Sequence, residues 1–146
     1  MPTAIEILTK LVQDSESCEL EAYQCPAGVW TIGWGATGPG IVKGVVWTQA
    51  QTDSRLTKDC EKALIQALAS SPTLKDQSIY KQAAIADFCY NLGVGKYQGS
   101  TLRKRVDEAD WTGAKSELKR WVNGGGRVLN GLVKRRNKEC DLVDKI

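Results

Sequence analysis

Apolar positions at the start of the chain recur with helical spacing. Ile5, Leu8, Leu11 and Val12 fall on one face, and Thr3 with Glu6 ahead of them makes a capping-box signature. The pattern predicts a helix over about residues 3–14. Alternation then replaces it. In VWTIGWG (residues 29–35), Trp30, Ile32 and Trp34 share one face and Thr31 takes the other, as in a strand. The preceding CPAG (25–28) supplies the Pro and Gly of a turn back from a short strand at AYQ (22–24). A third strand is expected within GIVKGVVW (40–47).

From Thr48 the period is helical again. Thr48 and Gln51 form a second capping box, and Leu56, Cys60, Ala63, Leu64, Ala67 and Leu68 make one stripe that ends at SSPT (70–73). Further helices are expected over 79–92, which stops at LGVG, and around Leu102 and Val106. Another is expected from Trp111 through Ala114, Leu118, Trp121 and Val122, with the two tryptophans in the core. Gly124, Gly125 and Gly126 break the pattern before a last basic amphipathic helix over about 128–143. No internal repeat or long linker interrupts the chain. The expected class is α+β, one domain over 1–146, with a sheet lobe over about 15–47. The helical lobe takes about 48–146 together with the first helix, 3–14.

Composition narrows the chemistry. The chain has 146 residues, 42% hydrophobic and 25% charged, the balance of a soluble globular protein. Twenty Lys and Arg against seventeen Asp and Glu leave +3, too little to argue for nucleic acid. There is no histidine, so a Ser-His-Asp triad, a Cys-His pair and a His-ligated metal are excluded within this chain. No apolar run approaches the ~18 residues that span a membrane. Catalysis is left to carboxylates, thiols, hydroxyls, Lys, Tyr or Arg, and neither metal nor cofactor is implied.

The five cysteines, Cys18, Cys25, Cys60, Cys89 and Cys140, include no C-x-x-C pair. Their odd number leaves at least one thiol unpaired in a monomer. Cys60, Cys89 and Cys140 fall in apolar helical stretches and read as small buried hydrophobes. Cys18 and Cys25 lie in a polar stretch. The N-terminus, MPTAIEILTK, lacks the charged start and apolar core of a secretory signal, so synthesis in a cytoplasm is expected.

A cleft is expected where the two lobes meet, lined by the connecting segment 15–37. That segment carries Glu16, Glu19, Glu21, Cys18, Cys25 and Thr31. Three glutamates within six residues usually form a solvated face. Glu16, however, falls just beyond the last apolar repeat of the first helix, where a side chain can point into the groove. A carboxyl in such a groove has its charged form disfavoured, as a general acid requires.

These residues resemble the phage-type lysozymes, glycoside hydrolase family 24. The family pattern is Glu, eight residues, Asp or Cys, five residues, then Thr, and Glu16, Cys25 and Thr31 meet it. LEAYQCPAGVWTIGWGATG (20–38) looks like the family segment from the glutamate to the end of the sheet. DFCYNLGVGKYQGSTLRKRV (87–106) and RWVNGGGRVLNGLVKRRNKE (120–139) resemble its two helical signatures. Two departures stand out: Ser17 follows the glutamate where the family usually has Gly, and Ala36 replaces the histidine of TIGxGH.

The resemblance implies a lysozyme-like fold and a monomeric endolysin acting on peptidoglycan polysaccharide. Its target would be the β-1,4 bond between N-acetylmuramic acid and N-acetylglucosamine. It implies no cofactor, no nucleic acid, no stable membrane insertion, and a holin-type release to the wall. Glu16 is then the proton donor, with Cys25 a polar or partly ionised group and Thr31 orienting water. Arg127 is the expected partner holding the Glu16 carboxyl, and Asn91 and Trp34 are expected sugar contacts. Trp30 and Trp34 read more readily as the apolar face of the sheet than as sugar-stacking rings, and the basic run LVKRRNK (132–138) as a solvated face that can steer binding. Three alternatives stay open: a lytic transglycosylase, a non-enzymatic wall- or membrane-active module, and an enzyme gated by thiol exchange at Cys25.

Overall fold

The structure, a computed structural model, describes residues 1–145. Helix α1 (Ala4–Ser15) begins where its sequence signal places it: Thr3 accepts the Glu6 N–H at its side chain. It buries Leu8, Leu11 and Val12. An antiparallel pair follows, β1 (Glu19–Gln24) and β2 (Trp30–Gly33), with Tyr23 opposite Thr31 and an irregularity between Glu19 and Tyr23. The expected third strand is absent from 40–47. Gly40 and Gly44 take left-handed backbone, φ +82° and +89°, and break the extension. What is left is one bridge from Val46 to Glu21, with the Ala22 N–H donating to the Val45 carbonyl and the Trp47 N–H to that of Leu20.

Helix α2 (Gln49–Ser70) opens on the complete Thr48–Gln51 capping box. A short 3₁₀ turn (Pro72–Asp76) leads to α3 (Ile79–Leu92), which buries every residue from Ala83 to Cys89. A helix apolar all round has to lie inside, and α3 packs on α1, α2 and the last helix. Gly93, at φ +93°, ends it, but the chain re-enters helix at once as α4 (Val94–Gln98), an element the LGVG break did not predict. Helices α5 (Thr101–Asp107) and α6 (Trp111–Leu118) follow. Trp121 and Val122, expected on α6, lie beyond its end, where the chain turns into a two-residue hairpin, β3 (Asn123–Gly124) and β4 (Arg127–Val128). Gly125 and Gly126, at φ +59° and +79°, make its turn. Helix α7 (Asn130–Val143) closes the fold.

Two apolar clusters result. The larger joins α1 through α7 around Leu8, Phe88, Tyr97 and Leu118, and Trp111 and Trp121 pack on it half-buried. Trp121 stands edge-on to Phe88 at 5.3 Å. The smaller, in the sheet lobe, is Ala22, Ile32, Ala36 and Ile41 with Trp30, Val45 and Trp47 against it. Trp34 does not share the Trp30–Ile32 face, as strict alternation requires. Gly33 (φ +63°) and Gly35 (φ +86°) on either side swing it across to the helical core. No helix among the described residues is long and apolar enough to cross a membrane.

Candidate active site

Glu16 stands at the joint between lobes. It is the residue after α1, already extended at φ −110° and ψ 145°, with its N–H still donating to the Val12 carbonyl at 2.8 Å. The helix therefore fixes its backbone while the side chain turns toward the sheet. Its carboxyl is one-quarter exposed, and Oε1 accepts a 2.6 Å hydrogen bond from Arg135 Nη1. Arg127, the partner expected from sequence, does not hold it. That residue sits exposed on β4, whereas Arg135, one turn into α7, is carried into the interior.

Arg135 is itself clamped. Its Nε and Nη2 donate to the two oxygens of Asp87 at 2.9 and 2.8 Å, a fork that fixes the plane of the guanidinium. Asp87 is fully buried on α3 and Arg135 is 4% exposed. Burial pushes the Asp87 carboxyl up, but the charge and hydrogen bonds of Arg135 outweigh it and bring the group below the usual carboxylate range. Burial also works against the charge on Arg135; Asp87 and then Glu16 more than restore it, and the guanidinium stays charged. The next residue, Arg136, is buried beside it. Its Nη2 donates to Asn91 Oδ1 at 2.8 Å and to Glu139 Oε2 at 2.9 Å. The basic run 132–138 is thus not a wholly solvated face, because its two central arginines meet buried carboxyls.

The opposite wall comes from the strands. Cys25 follows β1, half-buried, in a turn closed by its N–H to the Val29 carbonyl. Thr31 on β2 is buried and donates its hydroxyl to the Val29 carbonyl at 3.0 Å. Between these groups and Glu16 lies Tyr23, a residue the sequence reading missed. It is the cross-strand partner of Thr31, and its phenol is pushed up by burial and by the charges of Glu16, Glu19 and Cys25. Tyr23 therefore stays a neutral donor, paired with Thr31 across the strands and near enough to Glu16 and Cys25 to feel their charge.

Gly35 shows how closely the lobes meet. A Cβ there would sit 3.1 Å from Glu16 Cδ and 3.2 Å from Oε2, at a backbone φ of +86°. Gly35, Thr37, Arg55, Asp59 and Tyr90 border an inter-lobe cavity of about 370 Å³. Two hydrogen bonds tie the lobes across this joint. The Tyr90 hydroxyl donates to the Trp34 carbonyl at 2.6 Å, and the Trp34 indole N–H to Asp53 at 3.1 Å. Trp34 thus acts mainly as packing. Asn91 spends its amide oxygen on Arg136, so its nitrogen is the group left to meet a ligand. All five cysteines are free thiols; Cys60, Cys89 and Cys140 are buried, as their apolar settings imply.

One signal in the sequence pointed to the missed ion pairs. Asp87 is a single charge inside the apolar run Ala83–Cys89, and a buried charge needs a buried partner.

Residues 13–139 match the family described as phage lysozyme. The chain is 36% identical over 140 residues to the endolysin of Acyrthosiphon pisum secondary endosymbiont phage 1, covering 92% of each. It is 33% identical to the SAR-endolysin of Enterobacteria phage P21, covering 82% of this chain and 72% of that protein. Among solved structures, the active form of the P1 phage endolysin Lyz superposes with a TM-score of 0.79 at 28% identity, over 98% of this chain and 84% of that one.

Proposed function

The chain belongs to the phage lysozyme family, and from that premise we propose that it is a peptidoglycan hydrolase of host-cell lysis with Glu16 as its proton donor. The bond cut is the β-1,4 link between N-acetylmuramic acid and N-acetylglucosamine. The observation that carries this reading is the seat of Glu16: a carboxyl at the lobe junction, gripped on one oxygen by a buried arginine, packed against Gly35 of the sheet lobe and close enough to Tyr23 to raise its phenol.

Cleavage of a glycosidic bond needs a proton on the leaving oxygen and electron-rich help on the far face of an oxocarbenium-like sugar. Arg135 has only donors, so Oε1 of Glu16 has to accept from it. A proton on this carboxyl therefore resides on Oε2, the oxygen beside Gly35 at the lobe junction. Thr31 spends its hydrogen on Val29, which leaves its oxygen lone pairs to accept from a water and turn that water's own lone pair toward the anomeric carbon. Cys25, in the turn after β1, supplies a polar thiol to the same lobe. Asn91 through its amide nitrogen, Trp34 through the edge of its ring and Arg127 from the exposed hairpin are the proposed sugar contacts. The enzyme works as a monomer of one catalytic domain on the polysaccharide of the wall, after release from the cytoplasm that makes it.

Mass spectrometry of muropeptides released from purified peptidoglycan tests the reaction. Hydrolysis gives N-acetylmuramic acid reducing ends; products lighter by one water, the anhydro sugars, mark a transglycosylase instead and overturn the role given to Thr31.

A further inference from the structure

Behind Arg135 lies a second carboxyl that the reaction does not use. Glu139, one turn along α7, is fully buried and in hydrogen-bond contact with the carboxyl of Asp87. Its Oε2 accepts from Arg136 Nη2, while its Oε1 and Arg136 Nε, 2.8 Å apart, face each other as an ion pair without a hydrogen bond, so Oε1 lacks an aligned donor. Two buried carboxyls in contact cannot both be acceptors without repulsion, and an unmatched buried oxygen is costly. A single proton resolves both problems. Each Asp87 oxygen uses one lone pair on Arg135 and keeps another free.

We infer that Glu139 is held as a neutral carboxylic acid donating to Asp87, and that through the Asp87–Arg135 fork it positions Glu16. The groups facing it are Asp87 and Cys89 on α3, Arg135, Arg136 and Cys140 on α7 and, beyond Asp87 and Arg135, Cys60 on α2 and Glu16. Burial pushes the thiols of Cys60 and Cys89 to about 11 and about 12, so neither adds charge near neutrality. Burial first, then the Asp87 charge, push Glu139 well above the carboxylate range, and the two arginines offset only part of that. Glu139 is a positioning residue: it touches no substrate and acts only through Asp87 and Arg135.

The positioning half rests on Glu16 being the acid; the protonation half does not, and the two are separable. Infrared spectra of the wild-type protein at neutral pH should contain a protonated-carboxyl C=O band that shifts in D₂O and disappears in Glu139→Gln. Absence of that difference band overturns the proton assignment whatever the enzyme's activity. Glu139→Gln replaces the O–H donor by N–H, whereas Glu139→Leu removes it. With fold checked by circular dichroism, the Gln variant should keep kcat within about threefold and the Leu variant should lose about tenfold or more with KM unmoved. Equal losses in both variants, or a loss confined to KM, overturn the positioning role.

Discussion

The two lobes are built on different scales. The helical lobe buries Leu8, Phe88, Tyr97 and Leu118 completely, around a central helix with no exposed face between Ala83 and Cys89. The sheet lobe rests on four small or medium side chains, Ala22, Ile32, Ala36 and Ile41, beneath one strand pair and two isolated bridges. A lone hairpin is marginal in water, and few apolar contacts mean a low cost of local opening. The groups of the site divide accordingly. Glu16 precedes the sheet in sequence, yet its carboxyl is tethered to the helical lobe through Arg135 and Asp87. Cys25 and Thr31 belong wholly to the lighter lobe. The Glu16 carboxyl is thus anchored in the heavier half, and Cys25 and Thr31 in the lighter one.

The strongest way to break that division is to cut the tether. Arg135→Met leaves Asp87 charged and unpaired in the core, and should cost about 3–5 kcal/mol in urea unfolding. A smaller but more selective blow falls at Gly35. Gly35→Ala puts a methyl against the Glu16 carboxyl at a left-handed φ, and should cost about 1–2 kcal/mol while lowering the rate of wall lysis by more than about tenfold. Loss of stability without loss of rate would show that Glu16 has slack.

Acid should loosen the helical side. Asp87 is depressed in the folded state, so its stabilisation is complete above the unfolded carboxyl value of about 3.9 and disappears as pH falls through the folded one. The thermal midpoint should drop on acidification below about pH 4, with a shallower slope in Asp87→Asn. The mildest change sharpens the contrast from the other side. Ile32→Val in the sheet core should cost about 1 kcal/mol and speed amide exchange in β1 and β2 while leaving α3 protected. Equal acceleration in both lobes would mean that they open as one.

Much of the frame was legible because its signals are local. Thr3 and Thr48 start their helices through their own side chains, and the alternation of residues 29–33 needs only its neighbours to be read. Where the reading failed, the cause lay at a distance or in a glycine. Residues 40–47 have the composition of a strand, but Gly40 and Gly44 turn the chain, and Trp34 crosses to the other lobe between Gly33 and Gly35. The spacing of Glu16, Cys25 and Thr31 could be seen in the sequence; Tyr23, paired with Thr31 and near the charges of Glu16 and Cys25, could not. Nor could the partner of Glu16. Arg127 and Arg135 are both basic residues near the end of the chain, and only Asp87, 48 residues before Arg135, decides which is drawn inside.

The central claim is that the Glu16 proton drives the cleavage. Its most direct test is turbidity loss of purified peptidoglycan by wild type and Glu16→Gln at matched concentration, with folding confirmed for both. The account predicts that the amide, which keeps the shape and can still accept from Arg135, lowers the rate by at least about a hundredfold. A Gln variant that clears the suspension within tenfold of wild type (about 1.4 kcal/mol) would contradict it.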